Sequence, residues 1–98
     1  LLKRVIFTSR ANAEAAAILQ AYAADSQRTG INFANSVSVA VRHIAKFPKA
    51  WAVFHQNFRK FVLKPFPFAL AFRELDDSIE VYAVIDLRRE PGYWLKDN

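Results

Sequence analysis

Cysteine and methionine are both absent from this chain, and glycine occurs only at Gly30 and Gly92. Without cysteine there are no disulfides and no thiolate metal sites. Without a glycine cluster there is no phosphate-cradling loop. No apolar run approaches the ~20 residues needed to span a bilayer, so no membrane association is expected. The opening LLKRVIFT is too short for a signal peptide and leads directly into a strand pattern. Lacking methionine, the sequence is expected to be preceded by further residues. A cytoplasmic location is the default expectation. Acid is missing too: between Asp25 and Glu74 there is no aspartate or glutamate, while Arg28, Arg42, Lys46, Lys49, Arg59, Lys60, Lys64 and Arg73 all fall in that span. A one-signed block of this length either makes a solvated basic face or attracts nucleic acid or an acidic protein.

What is present describes one α+β domain over residues 1–98, of net charge +5, with 53% hydrophobic and 23% charged residues. Lys3–Thr8 reads as a short strand. Ser9 is the expected N-cap of a helix running to about Asp25, with Glu14 near its positive end and Ala11, Ala15, Ile18, Leu19 and Tyr22 on one stripe. Gln27 to Gly30 reads as the break, with Gly30 free to take positive φ. A second helix over Ile31–Lys46 carries Phe33, Val37, Ala40, Val41 and Ile44, and Phe47-Pro48 ends it. The short link predicts an antiparallel helical hairpin.

Lys49–Asn57 reads as irregular. Three antiparallel strands follow at Phe58–Lys64, Phe68–Leu75 and Ile79–Leu87, the last two joined at Asp76-Asp77-Ser78. The order is β-α-α-β-β-β, a helical hairpin on one face of a small, mainly antiparallel, twisted sheet. Alternation sends Phe61, Leu63, Phe68, Leu70, Phe72, Ile79, Val81, Ala83 and Ile85 toward the helices. Lys60, Lys64, Ala69, Ala71, Arg73, Tyr82, Val84 and Asp86 are left on the other face, which is a candidate seat for a partner segment or a shallow sheet surface.

Few residues carry chemistry. His43 and His55 have no carboxylate at ligand spacing, so no metal is expected. Arg88 and Arg89 follow the last strand and suit phosphates or a carboxylate-rich helix, or one of them pairs with Asp86 or Glu90. Trp94 either packs on the core or stacks on a base.

Four motifs in order carry a resemblance: Thr8-Ser9-Arg10-Ala11 at the first helix start, Ile44-Ala45-Lys46-Phe47-Pro48 at the second helix end, Arg59-Lys60 with Phe66-Pro67-Phe68, and the run Val81 to Trp94 with Arg88, Pro91 and Trp94 at its close. Together they resemble the RelE/ParE superfamily of type II toxin–antitoxin toxins, in its ParE-like branch. The resemblance implies a plasmid-stabilisation toxin that inhibits DNA gyrase without catalytic residues or cofactor. It also implies a hetero-oligomer with a ParD-like antitoxin that binds through an acidic C-terminal segment. Arg59, Lys60, Arg73, Arg88, Arg89 and Trp94 are the residues expected to meet target or antitoxin. Asp86 stands where many relatives have histidine, and the chain ends in Pro-Gly-Tyr-Trp rather than the Tyr-Arg of RelE-like enzymes; both departures favour the ParE-like side. The alternatives are a RelE-like ribosome-dependent endoribonuclease, in which Arg59, Arg73 and Arg88 would stabilise the phosphate and Tyr93 act as acid or base, and an inactive antitoxin-binding relative.

Overall fold

The computed structural model describes residues 2–96. Strand β1 (Arg4–Phe7) leads into helices α1 (Ser9–Asp25) and α2 (Gln27–Lys46), followed by strands β2 (Val53–His55), β3 (Phe58–Val62), β4 (Phe68–Glu74) and β5 (Ser78–Asp86) and a 3-10 turn, η1 (Tyr93–Leu95). The sheet order is β1-β5-β4-β3-β2. Among the described residues only the β1–β5 pair is parallel, and β3, β4 and β5 form an antiparallel meander. The expected α+β architecture is present, with one strand more than expected. Val53–His55, read as irregular, pairs with β3 at Phe58 and Arg59.

The α1 cap lies one residue earlier than expected. Thr8 has extended backbone (φ −64°, ψ 161°) and its hydroxyl accepts from the Ala11 amide at 3.0 Å, whereas Ser9 is already helical. The break between the helices is Ser26 alone. Its amide donates to the Tyr22 carbonyl at 2.9 Å, and its hydroxyl accepts from the Thr29 amide at 3.3 Å. Gly30 is helical, not a positive-φ break: a Cβ built there would lie 2.8 Å from the Ala23 Cβ, so glycine is needed for close approach of the helices.

The hairpin packs on one sheet face over Phe33, Ile44, Leu63, Leu70, Phe72, Ile79 and Val81, all nearly or wholly buried. Each such side chain contributes on the order of 1.5–3 kcal/mol of transfer free energy. Tyr22, Phe33, Phe66 and Phe68 join their rings at the hairpin's base.

The expected faces hold for β4 and fail in the second half of β5. The register shifts between Ala71 and Phe72, so Ala71 faces Ala83 but Phe72 faces Val81, leaving Tyr82 as an extra residue. Such a bulge reverses the alternation beyond it. Ala83 and Ile85 therefore lie in the cluster on the outer face, and Val84 lies with the helices. Thr8 holds the bulge: its amide donates to the Val81 carbonyl at 3.0 Å and its hydroxyl to the Tyr82 carbonyl at 2.8 Å. Where β1 has ended, Glu14 takes its place, its carboxylate accepting from the Val84 amide at 2.9 Å. Among the described residues no helix is long and apolar enough to cross a membrane.

Candidate functional site on the outer sheet face

The outer face is covered by the chain's own tail. Beyond Asp86 the chain turns, Gly92 takes a left-handed conformation (φ 79°), and η1 lays Trp94 onto the sheet. The floor beneath is made of small residues, Ala69, Ala71 and Ala83, which leave room for an indole. Trp94 is 2% exposed. Its ring meets Phe58 edge-on at 5.3 Å between centroids, with Tyr82 at 5.9 Å and Phe54 at 5.8 Å. Two polar contacts fix the tail: Arg10 donates to the Trp94 carbonyl at 2.6 Å, and the Asp86 amide donates to the Tyr93 hydroxyl at 2.8 Å.

Between the tail and β2 lies a groove of about 510 Å³, lined by Phe54, His55, Lys60, Arg89, Tyr93 and Trp94 among others. Its two nearest cations face rings rather than carboxylates. The Lys60 ammonium sits 5.0 Å from the Phe54 centroid, and the Arg89 guanidinium 3.8 Å from that of Tyr93. The acids of the groove are each engaged: Asp86 by Arg88 at 2.9 and 3.0 Å, Glu90 by Lys96 at 3.7 Å. Positive charge over an aromatic floor suits an anionic or carboxylate-bearing partner.

The six residues expected from sequence are only partly gathered here. Lys60, Arg89 and Trp94 line the groove. Arg73 adjoins it, stacked 4.9 Å over Phe58 and bonded to Glu80 at 2.9 Å. Arg88 lies apart, 5.2 Å over Phe68 on the helix-side cluster and paired with Asp86. Arg59 donates to the Trp51 carbonyl at 2.6 Å. Sequence reasoning placed Tyr82 on this face, where it lies, but missed Arg10, Phe54 and His55. Only Arg10 carried a usable signal, its i,i+4 spacing to Glu14, which the structure realises at 3.1 Å. Among the described residues no group of histidines and carboxylates is placed to hold a metal ion.

The side-chain hydrogen bond from Arg88 holds the Asp86 carboxyl below its usual range against an opposing desolvation; the Arg88 backbone amide and the charges of Arg88 and Arg89 act in the same direction as that bond. Asp86 in turn raises Arg88. A depressed carboxyl stabilises the fold above its unfolded pKa of about 3.9 and loses that contribution as pH falls through the lower folded value. Carbon-13 titration of Asp86 is therefore expected to show a midpoint below that of a free aspartate, and Arg88→Ala to move it upward, toward the ordinary range. A midpoint at or above the ordinary value in the native protein would refute the pairing.

The two-layer arrangement, a helical hairpin on a sheet whose first strand runs parallel beside its last, defines a ParE-like α+β fold. The same architecture occurs in a chain solved as "Chromosomal ParDE TA system from P. aeruginosa", with a TM-score of 0.75 and 17% sequence identity over 88% of this chain and 97% of that one. The resemblance drawn from the motif order thus extends to the fold. No family model matches the sequence. No curated protein matches it either.

Proposed function

We propose that the protein is a single-domain ParE-like toxin of a type II toxin–antitoxin module of the plasmid-stabilisation kind, acting in the cytoplasm. Its target is DNA gyrase, and a ParD-like antitoxin neutralises it by binding as a hetero-oligomer through an acidic C-terminal segment. The observation that supports this most is the correspondence of nearly the whole fold to a chain of a ParDE TA system. The outer-face cations are consistent with it. On this reading Lys60 and Arg89 make the contact. Arg73, Arg88 and Arg59 supply the surrounding field, and buried Trp94 acts by shaping the groove. The mode of action is poisoning without a catalytic group, cofactor or metal.

The test is supercoiling by purified gyrase with and without the protein, beside a ribosome-bound mRNA cleavage assay. Loss of supercoiling with accumulated cleaved DNA and intact mRNA is expected, and the pair Lys60→Glu and Arg89→Glu should weaken the effect about tenfold or more. Cleaved mRNA with normal supercoiling would move the protein to the ribonucleases. Silence in both assays would leave an antitoxin-binding protein without toxicity.

A further inference from the structure

Helix α2 presents its outward side as a single stripe. Arg28, Asn32, Asn35, Val39, Arg42 and Lys46 recur at alternating steps of four and three, which stacks them on one face. All six are exposed, whereas Phe33, Ala40 and Ile44 on the opposite face are buried in the core. The amides stand between cations: Arg42 lies about 21 Å and Lys46 about 27 Å along the axis from Arg28. Beside the stripe runs a trough of about 490 Å³, with Asn32, Asn35 and Val39 on one wall and exposed Lys64 on the other. On that side the helix is therefore a ridge rather than part of a flush surface.

The charge of the ridge is of one sign. No acid occurs between Asp25 and Glu74, so neither α2 nor the Lys64 wall has a carboxylate of its own. Among the described residues Arg28, Arg42 and Lys46 meet no carboxylate elsewhere, and Lys46 lies 5.5 Å from the Phe47 ring centroid. Arg42 and Lys46 are moreover a like-charge pair one turn apart, which disfavours the isolated helix. Val39 is the only apolar member of the stripe, so there is no seam for a second helix, and a helix offers no open main-chain edge to a strand. The composition matches a nucleic-acid duplex instead: arginine and lysine meet phosphates, asparagine pairs with an adenine edge, and an aliphatic side chain meets a thymine methyl. The B-form major groove, about 12 Å wide, admits a helix, whereas that of A-form RNA is too narrow.

We infer that the outward face of α2 binds duplex DNA, seated in its major groove. Asn32 and Asn35 face base edges and Val39 a thymine methyl. Arg28 reaches the phosphates at one lip of the groove and Arg42 and Lys46 those at the other, while Lys64 meets the backbone that enters the trough. The site shares no residue with the tail groove and is independent of the gyrase reading. The binding assay below contains no gyrase, so it and the supercoiling assay above can each fail alone.

The test uses the whole protein and a fluorescein-labelled DNA duplex of mixed sequence, with binding followed by anisotropy across a salt series. The duplex is expected to bind, with amide shifts along α2 and at Lys64 rather than in the tail. The double change Arg42→Gln with Lys46→Gln should weaken binding about tenfold or more and flatten the log–log salt slope by about two. Lys96→Gln, on the tail, removes one charge and should leave binding unchanged. All three positions are exposed and glutamine keeps the helix propensity of arginine and lysine, so folding is preserved. A duplex whose major groove is filled by glucosylated hydroxymethylcytosine and an RNA duplex of the same sequence should each bind about tenfold or more weaker. Any one of four results overturns the proposal: no binding of the DNA duplex, equal binding of the filled or the RNA duplex, a double variant as tight as the parent, or polyglutamate taking the site as tightly as the DNA.

Discussion

Trp94→Ala is expected to destabilise the protein by about 3–5 kcal/mol, as large-to-small changes of buried aromatics do. A domain of this size has about 5–15 kcal/mol in all, so one side chain near the end of the chain would account for a large share. The reason lies in what is under it. Ala69, Ala71 and Ala83 cannot fill the space the indole leaves, and Phe58 and Tyr82 would lose their edge contacts with it. The Arg10 bond to the Trp94 carbonyl and the Asp86 bond to the Tyr93 hydroxyl survive the substitution in kind, but the tail's largest apolar contact with the sheet is lost. Urea unfolding followed by far-ultraviolet circular dichroism should show a lower midpoint with an unchanged slope. Trp94→Phe should recover part of the loss. A shift below about 1 kcal/mol would mean that the tail is an accessory and the sheet folds without it.

Gly30→Val should cost about 3 kcal/mol, the upper part of the range for overpacked cores. A Cβ at this position meets the Ala23 Cβ at 2.8 Å and the Ala23 Cα at 3.0 Å, and the latter is backbone that can move only with α1. Gly30→Ala should cost less, because about 1 kcal/mol of helix propensity returns. The paired change Ala23→Gly with Gly30→Ala removes the nearest clashing atom and should recover some stability over Gly30→Ala alone. Thermal unfolding of the three variants beside the parent decides it. A valine variant within about 0.5 kcal/mol of the parent would show that the hairpin opens freely and that glycine is incidental there.

Much of the fold was legible because its signals are local. The stripes of α1 and α2 and the alternation of β4 are patterns of adjacent residues, and each appears where expected. The errors arose where a distant residue decides. The run from Val81 to Asp86 alternates without interruption in sequence, and only Thr8, reaching in from the other end of the chain, shows where the bulge must fall. Alanine at position 83 suits either face until Trp94 is seen to need a shallow floor. Gly30 looked like a conformational break because glycine has two uses, freedom of φ and absence of bulk, and its neighbour Ala23 is visible only in three dimensions. For Val53–His55, three residues are too few to show a period. At the candidate site, the charges could be read from composition, whereas their grouping could not: Arg88 and Arg89 are adjacent in sequence and turn to different sides of the molecule.

The pairing of β1 with β5 also governs when the molecule comes into being. The first strand has no sheet neighbour other than the last, and the tail that completes the outer face is clasped by a residue of the first helix, 84 positions earlier. A ribosome extrudes β1 well before β5 and the tail. Until β5 and the tail have left the exit tunnel, β1 has nothing to pair with and the aromatic groove has no second wall. In that interval the nascent chain carries its helices without the groove that the tail completes.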